Sequence, residues 1–313
     1  MLLVPDLVSS LVERRLRDAT GIADVAVVRR ADAEKSGARL VWYPWNGMTW
    51  TSTLPTVVTV HDLWPFVSPA TDQRKRRREQ SHYLRAVESA TRFIAVSQFT
   101  AHEMVEKLKI DRARIDVIPN GVARLTPGDV APARLPGDDR YVLFVGEAEA
   151  RKDIATLASA AALLPQSLRS SIVFVAAGKK HHAMADLLAT PGVRFDIVGE
   201  VSDERLASLY AGASAFVFPS RYEGFGLPVL EAMHYGVPVI ASDAPAVQEA
   251  AGDAGLIFHA GDAAALASAL ERVLTDGDLS LKLSHAGSAR AAAMTVDLCA
   301  ERTLEAFGRA LAA

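Results

Sequence analysis

Two acidic residues bracket a glycine-rich loop in the second half of the sequence. Glu223 precedes Gly224 and Gly226, and Glu231 lies eight residues beyond Glu223. Glycines let the backbone approach a ligand closely, and a helix that begins after them would present unpaired amides and the positive end of its dipole. Such a helix start binds diphosphate, and a carboxylate can accept hydrogen bonds from two hydroxyls of a ribose or another sugar. The alternatives are a solvated loop acid at Glu223 and, at Glu231, an acid placed favourably near a helix N-terminus.

An arginine–lysine pair is the second chemical signal. Arg151 and Lys152 follow an apolar run at 141–146 and precede a helical pattern that Asp153 can cap. In open α/β sheets, ligands bind at the carboxyl ends of the strands. A cation at a helix start is slightly unfavourable against the helix dipole, so a bound anion explains the pair better than an exposed helix start does.

Short apolar, β-branched runs, separated by helical patterns, must position these residues. The runs lack clean alternation, which is typical of parallel strands covered on both faces. Strands that alternate with helices predict an α/β fold built from doubly wound parallel sheets. The runs lie at 24–30, 39–44, 56–62, 91–97 and 114–121, and then at 141–146, 171–178, 193–199, 213–220, 237–243 and 254–259.

The two sets of runs predict two domains, which 313 residues can supply. We expect an N-terminal Rossmann-like domain over 1–125 and a second Rossmann-like domain over 140–296. The segment 126–139 between them is rich in Pro, Gly and Asp and is interpreted as a linker. A C-terminal amphipathic helix over 297–313, with Leu298, Leu304 and Phe307 on one face, could pack back toward the N-terminal domain.

The composition excludes several classes of protein. Half of the residues are hydrophobic and 23% are charged, which excludes a disordered or collagen-like chain. The single cysteine, Cys299, excludes a disulfide framework and a cysteine-based zinc site. A net charge of −3 argues against a nucleic-acid binder. The N-terminus does not read as a signal peptide, and no run approaches the ~20 apolar residues of a membrane span, so we expect a cytoplasmic protein, at most peripheral at the inner face of the membrane.

The segment 223–231, Glu-Gly-Phe-Gly-Leu-Pro-Val-Leu-Glu, resembles the E-x7-E signature of retaining glycosyltransferases of family 4, also called glycosyl transferases group 1. Other segments are similar to motifs of that family in the same order, and the similarity covers roughly residues 40 to 310. The resemblance implies the GT-B fold, in which two Rossmann-like domains face each other across a cleft. The similar segments are 58–69, 94–104, 117–122, 146–153 and 199–220.

The resemblance also implies an activity. A hexose would pass from a nucleotide-diphosphate sugar to an acceptor hydroxyl with retention of configuration, in glycan, polysaccharide or glycolipid synthesis. The segment 146–153 is similar to a subgroup with many mannosyltransferases, so GDP-mannose is the first donor expected and a UDP-sugar is the alternative. The acceptor would be a saccharide, a lipid-linked sugar or a small molecule. No metal or cofactor is expected, because cationic side chains would stabilise the leaving group.

The family motifs assign roles to individual residues. Glu231 is expected to bind the ribose, and Glu223 the hydroxyls of the donor sugar. Arg151 and Lys152 would pair with the phosphates, and Val201 would offer backbone groups to the base. The expected catalytic residues are His61, Arg151, Lys152 and Glu223. The expected donor site comprises Gly146, Arg151, Lys152, Val201, Glu223, Gly224, Phe225, Gly226, Leu227 and Glu231.

On the acceptor side, the resemblance places His61 opposite the donor sugar, and a structural hydrogen bond at a strand end is its alternative role. Trp45, Asn46 and Asp62 are candidate acceptor-side residues. Sugars stack on tryptophan, although core packing is the commoner role of Trp42, Trp45, Trp50 and Trp64. The basic run 74–78 could meet anionic lipid or a phosphate-bearing acceptor; a solvated helix face is the alternative, and it is slightly favoured.

The start of the chain departs from the family pattern. MLLVPD is followed directly by a helical pattern, with no glycine before Gly21, where family members have a glycine-rich loop that approaches the donor phosphate. We therefore expect either a first domain that is shortened at its start or a sequence that begins downstream of the true start. This leaves open a nucleotide-sugar-binding pseudoenzyme or regulatory subunit, and, less favoured, an epimerase or phosphorylase of the same fold.

Overall fold

The computed structural model describes residues 2–3, 27–28, 37–69, 72–122, 129–135, 140–147, 149–179, 184 and 189–313. The chain divides into two compact units. The first comprises Met1–Ile94, Met104–Asp116 and Thr303–Ala313, and the second comprises Ala95–Glu103 and Val117–Arg302. The helical pattern after MLLVPD, Gly21, most of the run at 24–30, and parts of the segment 126–139 lie outside the described residues.

Parallel strands form the centre of the first unit. Strand β1 pairs in parallel with β2, and β3 pairs in parallel with β4. In the described chain, β3, β4, β5 and β6 form a four-stranded sheet in that order. The bounds are Leu2–Leu3 (β1), Val27–Val28 (β2), Val41–Tyr43 (β3), Thr56–Val60 (β4), Arg92–Ala95 (β5) and Ile115–Val117 (β6), with helices Trp64–Val67 (α1) and Gln73–Ser89 (α2). Helix Gln98–Leu108 (α3) begins in the second unit and belongs to the first from Met104 onward.

The second unit contains a larger sheet. Within the described residues, six parallel strands lie in the order β12-β11-β10-β7-β8-β9. The strands are Arg140–Val145 (β7), Ile172–Ala177 (β8), Arg194–Gly199 (β9), Ala215–Phe218 (β10), Val239–Ser242 (β11) and Leu256–Phe258 (β12). The helices are Ile154–Leu163 (α4), Gln166–Ser171 (α5), Asp203–Gly212 (α6), Leu227–His234 (α7), Pro245–Ala251 (α8), Ala263–Thr275 (α9) and Gly277–Ala292 (α10). Helix Val296–Leu311 (α11) begins in the second unit, and its residues from Thr303 onward belong to the first.

Helices cover both faces of this sheet. One buried cluster joins alternate strand residues to helices α6, α7 and α8. A second cluster joins the intervening strand residues to α4 and α9. On β7, Tyr141 and Leu143 belong to the first cluster, and Val142 and Phe144 to the second, because successive side chains of a strand point to opposite faces. The prediction of doubly wound parallel sheets is confirmed.

The strand order of the second sheet reverses between β10 and β7. Strand β7 pairs with β8 on one side and with β10 on the other. The connections that leave β7 and β10 therefore run in opposite directions and open a crevice at the carboxyl ends of these two strands. The predicted site residues 146–153 follow β7, and residues 219–231 follow β10.

The prediction that Leu304 lies on the apolar face of the C-terminal helix is wrong. Ala306 and Ala310 are buried in α11, whereas Leu304 is 67% exposed. A helix turns by about 100° per residue, so Leu304 points roughly 200° away from Ala306. Phe307 contacts the Trp42 ring edge-on, with 5.4 Å between ring centroids.

No helix in the described part of the chain has both the length and the apolar character needed to cross a membrane.

Candidate active site

The loop after β7 carries the arginine–lysine pair on a 3-10 turn. This turn spans Ala150–Lys152, and Asp153 follows it in the left-handed conformation, with φ of 47°. The expectation that the Asp153 side chain caps α4 is wrong, because in this conformation it reaches no amide of the first turn. Its Oδ2 instead accepts a hydrogen bond from Thr156 Oγ1 at 2.8 Å and pairs with Arg221 Nε at 2.7 Å.

The loops after β7 and β10 are joined by backbone and side chains. The Arg221 amide donates to the Arg151 carbonyl at 2.7 Å, and the Arg221–Asp153 ion pair lies beside it. Since the two strands are neighbours in the sheet, these contacts bring Glu223 to the arginine–lysine pair, although 70 residues separate Lys152 from Glu223 along the chain.

Glu223 binds both cations. Arg151 Nη1 donates to Glu223 Oε2 at 2.9 Å. Lys152 Nζ lies 2.6 Å from Glu223 Oε1, an ion pair that does not meet the geometry of a hydrogen bond. Arg151 Nε also pairs with Glu149 at 2.6 Å, and Lys152 Nζ lies 5.0 Å from the centroid of the Phe218 ring.

This cluster is buried and therefore costly for the fold. Lys152 and Glu223 are each 8% exposed. Removing such charges from water costs several kcal/mol per ion, which their attraction only partly offsets. Two cations face the buried carboxylate of Glu223, and the more exposed carboxylate of Glu149, 2.6 Å from Arg151 Nε, balances their charge. If these charges served only the fold, apolar side chains could replace them. Charged residues that are kept in a crevice despite this cost are typical of functional sites.

The start of helix α7 lies in the same loop as Glu223. Gly226 precedes the helix with φ of 104°, a conformation that favours glycine, and no side chain caps the first turn. Leu227 begins the helix, and Pro228 is its second residue. The helix start therefore keeps amide donors available, and the positive end of its dipole favours an anion there.

Glu231 lies one turn into α7 and is 4% exposed. Its Oε2 accepts a hydrogen bond from the Tyr210 hydroxyl of α6 at 2.9 Å. The Tyr210 ring stacks on Tyr235, with centroids 5.8 Å apart. These contacts fix the carboxylate in one orientation.

A cavity of about 350 Å³ opens at the carboxyl ends of β7, β8 and β9. Gly178 directly follows β8 with φ of 139°, and a Cβ atom there would lie 2.1 Å from the Gly146 carbonyl oxygen, so only glycine fits. Lys179 pairs with Glu147 at 3.2 Å, and this hydrogen bond raises the pKa of Lys179. The cavity is lined by Val145, Gly146, Glu147, Ala177, Gly178, Lys179, Glu200, Val201 and Leu206.

The sequence prediction named Gly146 and Val201 of this cavity but missed Glu147, Gly178 and Lys179. Gly178 could have been found, because a glycine that directly follows a buried strand at 172–177 marks a close approach of backbone. Glu147 and Lys179 carry no local sequence signal that distinguishes them from exposed charges.

The remaining predicted residues lie together in the first unit. The His61 and Trp45 rings contact each other with centroids 4.6 Å apart and ring planes tilted by 33°, and His61 Nε2 lies 2.8 Å from the Pro44 carbonyl oxygen. Asn46 Oδ1 accepts from the amides of His61 and Asp62 at 2.6 and 3.4 Å. Trp45 is 71% exposed, so it does not pack in the core.

The basic run begins helix α2. Asp72 caps this helix by accepting from the amides of Arg74 and Lys75. The Arg76 guanidinium turns inward to the carbonyls of Pro65 and Phe66. Arg74, Lys75, Arg77 and Arg78 are exposed, and Lys75 lies 3.9 Å from Glu79. The run is therefore not one uniform surface.

Comparison with known families agrees with the fold and the motifs. The model of the family described as Glycosyl transferases group 1 matches residues 129–290, and the model described as Glycosyltransferase Family 4 matches residues 9–124. The chain belongs to the glycosyl transferases group 1 family. It is a glycosyltransferase with the GT-B fold, and the resemblance drawn from the sequence is confirmed.

Individual relatives are similar over most of this chain. O-antigen chain mannosyltransferase B of Escherichia coli is 32% identical over 266 residues, which cover 80% of this chain and 69% of the relative. A D-inositol 3-phosphate glycosyltransferase of Nocardia farcinica (strain IFM 10152) is 33% identical over 244 residues, which cover 72% of this chain and 54% of the relative. The chain thus spans only about half the length of the second relative.

Solved structures share the fold. Anabaena HepE, determined in complex with UDP and glucose, matches with a TM-score of 0.74 and 18% identity over 98% of this chain and 91% of its own. Sucrose-phosphate synthase from Thermosynechococcus elongatus matches with a TM-score of 0.72 and 24% identity over 90% of this chain and 76% of its own. At these identities the likeness concerns the fold alone.

Proposed function

We propose that this glycosyltransferase moves a hexose from a nucleotide-diphosphate sugar to an acceptor hydroxyl with retention of configuration. GDP-mannose is the favoured donor, and a UDP-sugar is the alternative. The mannosyltransferase relative from Escherichia coli supports the former, and the HepE complex with UDP and glucose supports the latter. The acceptor is a saccharide, a lipid-linked sugar or a small molecule.

One observation carries this proposal. Two buried or half-buried cations, Arg151 and Lys152, converge on Glu223 beside the uncapped start of α7. A diphosphate bound at the helix start would pair with Arg151 and Lys152 in place of Glu223. The Glu223 carboxylate would then accept hydrogen bonds from the hydroxyls of the donor sugar. The cavity beside Gly146 and Val201 would hold the nucleoside.

The chemistry follows from the charges. As the bond between the sugar carbon C1 and the diphosphate oxygen breaks, negative charge grows on the diphosphate. Arg151, Lys152 and the α7 dipole stabilise that charge, a contribution that is usually the largest in catalysis. The acceptor hydroxyl attacks from the face that the diphosphate leaves, and the departing phosphate oxygen takes the hydroxyl proton. His61 is the proposed catalytic residue of the first unit, and Trp45, Asn46 and Asp62 are its proposed acceptor-binding residues.

Side chains replace a metal ion in this scheme. A helix start and two cations supply the compensation that a divalent cation gives elsewhere.

A melting-temperature screen with GDP, UDP, ADP and dTDP tests the donor assignment. A ligand that binds only the folded state at 100 times its Kd stabilises it by about 2.7 kcal/mol, which raises the Tm of a domain of this size by about 5 °C or more. We expect GDP or UDP to give that shift, and the same shift with EDTA as with Mg²⁺. A shift that requires Mg²⁺, or no shift with any of the four, would contradict the proposal.

A second proposal concerns where the protein acts, and it is a peripheral contact with the membrane surface. The exposed cations of α2 could meet anionic headgroups, each contributing about 1 kcal/mol near such a surface. Arg76 cannot take part without releasing the carbonyls of Pro65 and Phe66. The contact is therefore weak and peripheral.

A further inference from the structure

Three side chains from the segment 97–103 hold the loop that carries Glu223. They are Ser97, Thr100 and Glu103, which we call the 97–103 clamp, and they belong to the second unit together with the loop. Ser97 and Thr100 are fully buried, and Glu103 is 6% exposed. Buried polar groups of this kind need hydrogen-bond partners, and the signature loop supplies them.

The carbonyl of Gly224 is the first point of attachment. Ser97 Oγ donates to the Gly224 oxygen at 2.6 Å, and Thr100 Oγ1 donates to the same oxygen at 3.0 Å. Ser97 Oγ also lies 3.1 Å from Thr100 Oγ1. Because each hydroxyl has one proton and the carbonyl oxygen has two lone pairs, the two hydroxyls and the Gly224 oxygen form one hydrogen-bonded network. The Ser97 oxygen also accepts from the Thr100 amide at 2.9 Å.

The second point of attachment lies on the other side of Glu223. The Tyr222 hydroxyl donates to Glu103 Oε2, and the Tyr222 ring contacts Phe99 edge-on at 5.8 Å. Residues 222 and 224 are therefore both tied to the clamp, and the backbone of Glu223 is held on each side.

The clamp itself is anchored at the start of α3. The Glu249 carboxylate of helix α8 accepts from the Gln98 amide at 2.9 Å and from the Phe99 amide at 3.2 Å. Together with the bond from Thr100 to Ser97, these contacts satisfy three amides of the first turn. A carboxylate at this end of a helix also complements the dipole. The first turn of α3 is thus a fixed support.

The attachment at Gly224 sets the direction of the next amide. In a trans peptide the C=O and N–H groups point in opposite directions. Two hydroxyls that hold the Gly224 oxygen therefore also fix the direction of the Phe225 N–H, which lies in the same peptide plane and points the opposite way.

We propose that Ser97 and Thr100 are positioning residues that aim the Phe225 amide, and with it the Glu223 side chain, at the diphosphate and sugar of the donor. This inference rests on the proposed function for the identity of the ligand. The clamp does not touch the ligand in this account. It acts through the backbone of residues 222–225.

The test compares diphosphate with monophosphate binding. The probes are GDP with GMP, and UDP with UMP, titrated against Ser97→Ala/Thr100→Val. We expect the affinity for the diphosphate to fall about tenfold to a hundredfold, because the Phe225 amide is no longer held in the direction of the diphosphate. The affinity for the monophosphate should change by less than about threefold. Thr100→Ser, which keeps the hydroxyl, should bind both nucleotides as the wild type does.

Thr56→Val is the matched control. Thr56 is fully buried and its hydroxyl donates to the Leu54 carbonyl at 2.9 Å in the first unit. We expect this variant to retain the wild-type ratio of diphosphate to monophosphate affinity. An equal loss for both nucleotides in the double variant, or the same loss in Thr56→Val, would overturn the proposal. Thr100→Val alone serves if the double variant does not fold, with a smaller loss in the same direction.

Hydrogen exchange separates this inference from the proposed function. In the nucleotide-free protein, amides of residues 222–227 should exchange about tenfold faster in the double variant, because the loop opens more readily. Unchanged exchange would overturn the clamp whatever the nucleotides do. Absence of nucleotide binding by the wild type would contradict the proposed function, while faster exchange in the variant would still support the clamp.

Discussion

Lys152→Met should lower kcat/KM for the nucleotide-sugar donor by about a hundredfold to a thousandfold, the effect of removing one group that stabilises developing charge. Lys152 Nζ is the more buried of the two cations that bind Glu223. Methionine keeps an apolar stem and a sulfur atom against the Phe218 ring. Glu223 keeps Arg151 as a partner at 2.9 Å, so the protein should remain folded. The measurement is steady-state kinetics together with the Tm of each variant.

Lys282→Met is the control for this prediction. Lys282 lies on α10 and is exposed, so the substitution removes the same charge from a helix that carries none of the predicted site residues. We expect its kcat/KM to equal that of the wild type. A Lys152→Met enzyme that stays within about threefold of the wild type would mean that this cation does not stabilise the leaving group.

Glu231→Gln should weaken binding of the nucleoside diphosphate by about a hundredfold, because hydrogen bonds from two hydroxyls to a charged acceptor are each worth about 1.5–3 kcal/mol. The substitution conserves volume, and the carboxamide oxygen can still accept from the Tyr210 hydroxyl. The loss should be specific to the ribose. The wild type should bind GDP or UDP far better than the 2′,3′-dideoxy analogue, and the variant should bind both with similar affinity.

Tyr210→Phe separates the carboxylate from its neighbour. This variant removes the hydrogen bond to Glu231 and leaves the charge in place, so nucleotide affinity should change by about threefold or less. Calorimetric titration measures all three proteins. If Glu231→Gln still distinguishes ribose from dideoxyribose as the wild type does, the ribose assignment is wrong.

The sequence predicts the sheets well because the signal is local. Each strand of the second sheet is a short apolar run bounded by turn residues, and the order of the runs along the chain matches β7 to β12. The general rule for open sheets then predicts that the site lies at the carboxyl ends of β7 and β10. The approach of Arg151 and Lys152 to the loop after β10 is a consequence of that topology.

The contacts that position the loop could not be read from the sequence. Ser97 and Gly224 are separated by 127 residues, and Gln98 and Glu249 by 151. Nothing near Ser97 indicates that its hydroxyl meets a carbonyl so far along the chain. The same limit explains Asp153: a helix start predicts a cap, but the left-handed backbone and the distant Arg221 give the side chain other partners.

The central claim is that a diphosphate binds between the start of α7 and the Arg151–Lys152 pair. A crystal structure of the protein soaked with GDP or UDP measures this directly. The account predicts diphosphate density within about 3 Å of Lys152 Nζ and the amides of residues 225–227, the usual distance of a charge-assisted hydrogen bond. Density for the nucleotide elsewhere, or both cations still bound to Glu223 with the helix start empty, would contradict it.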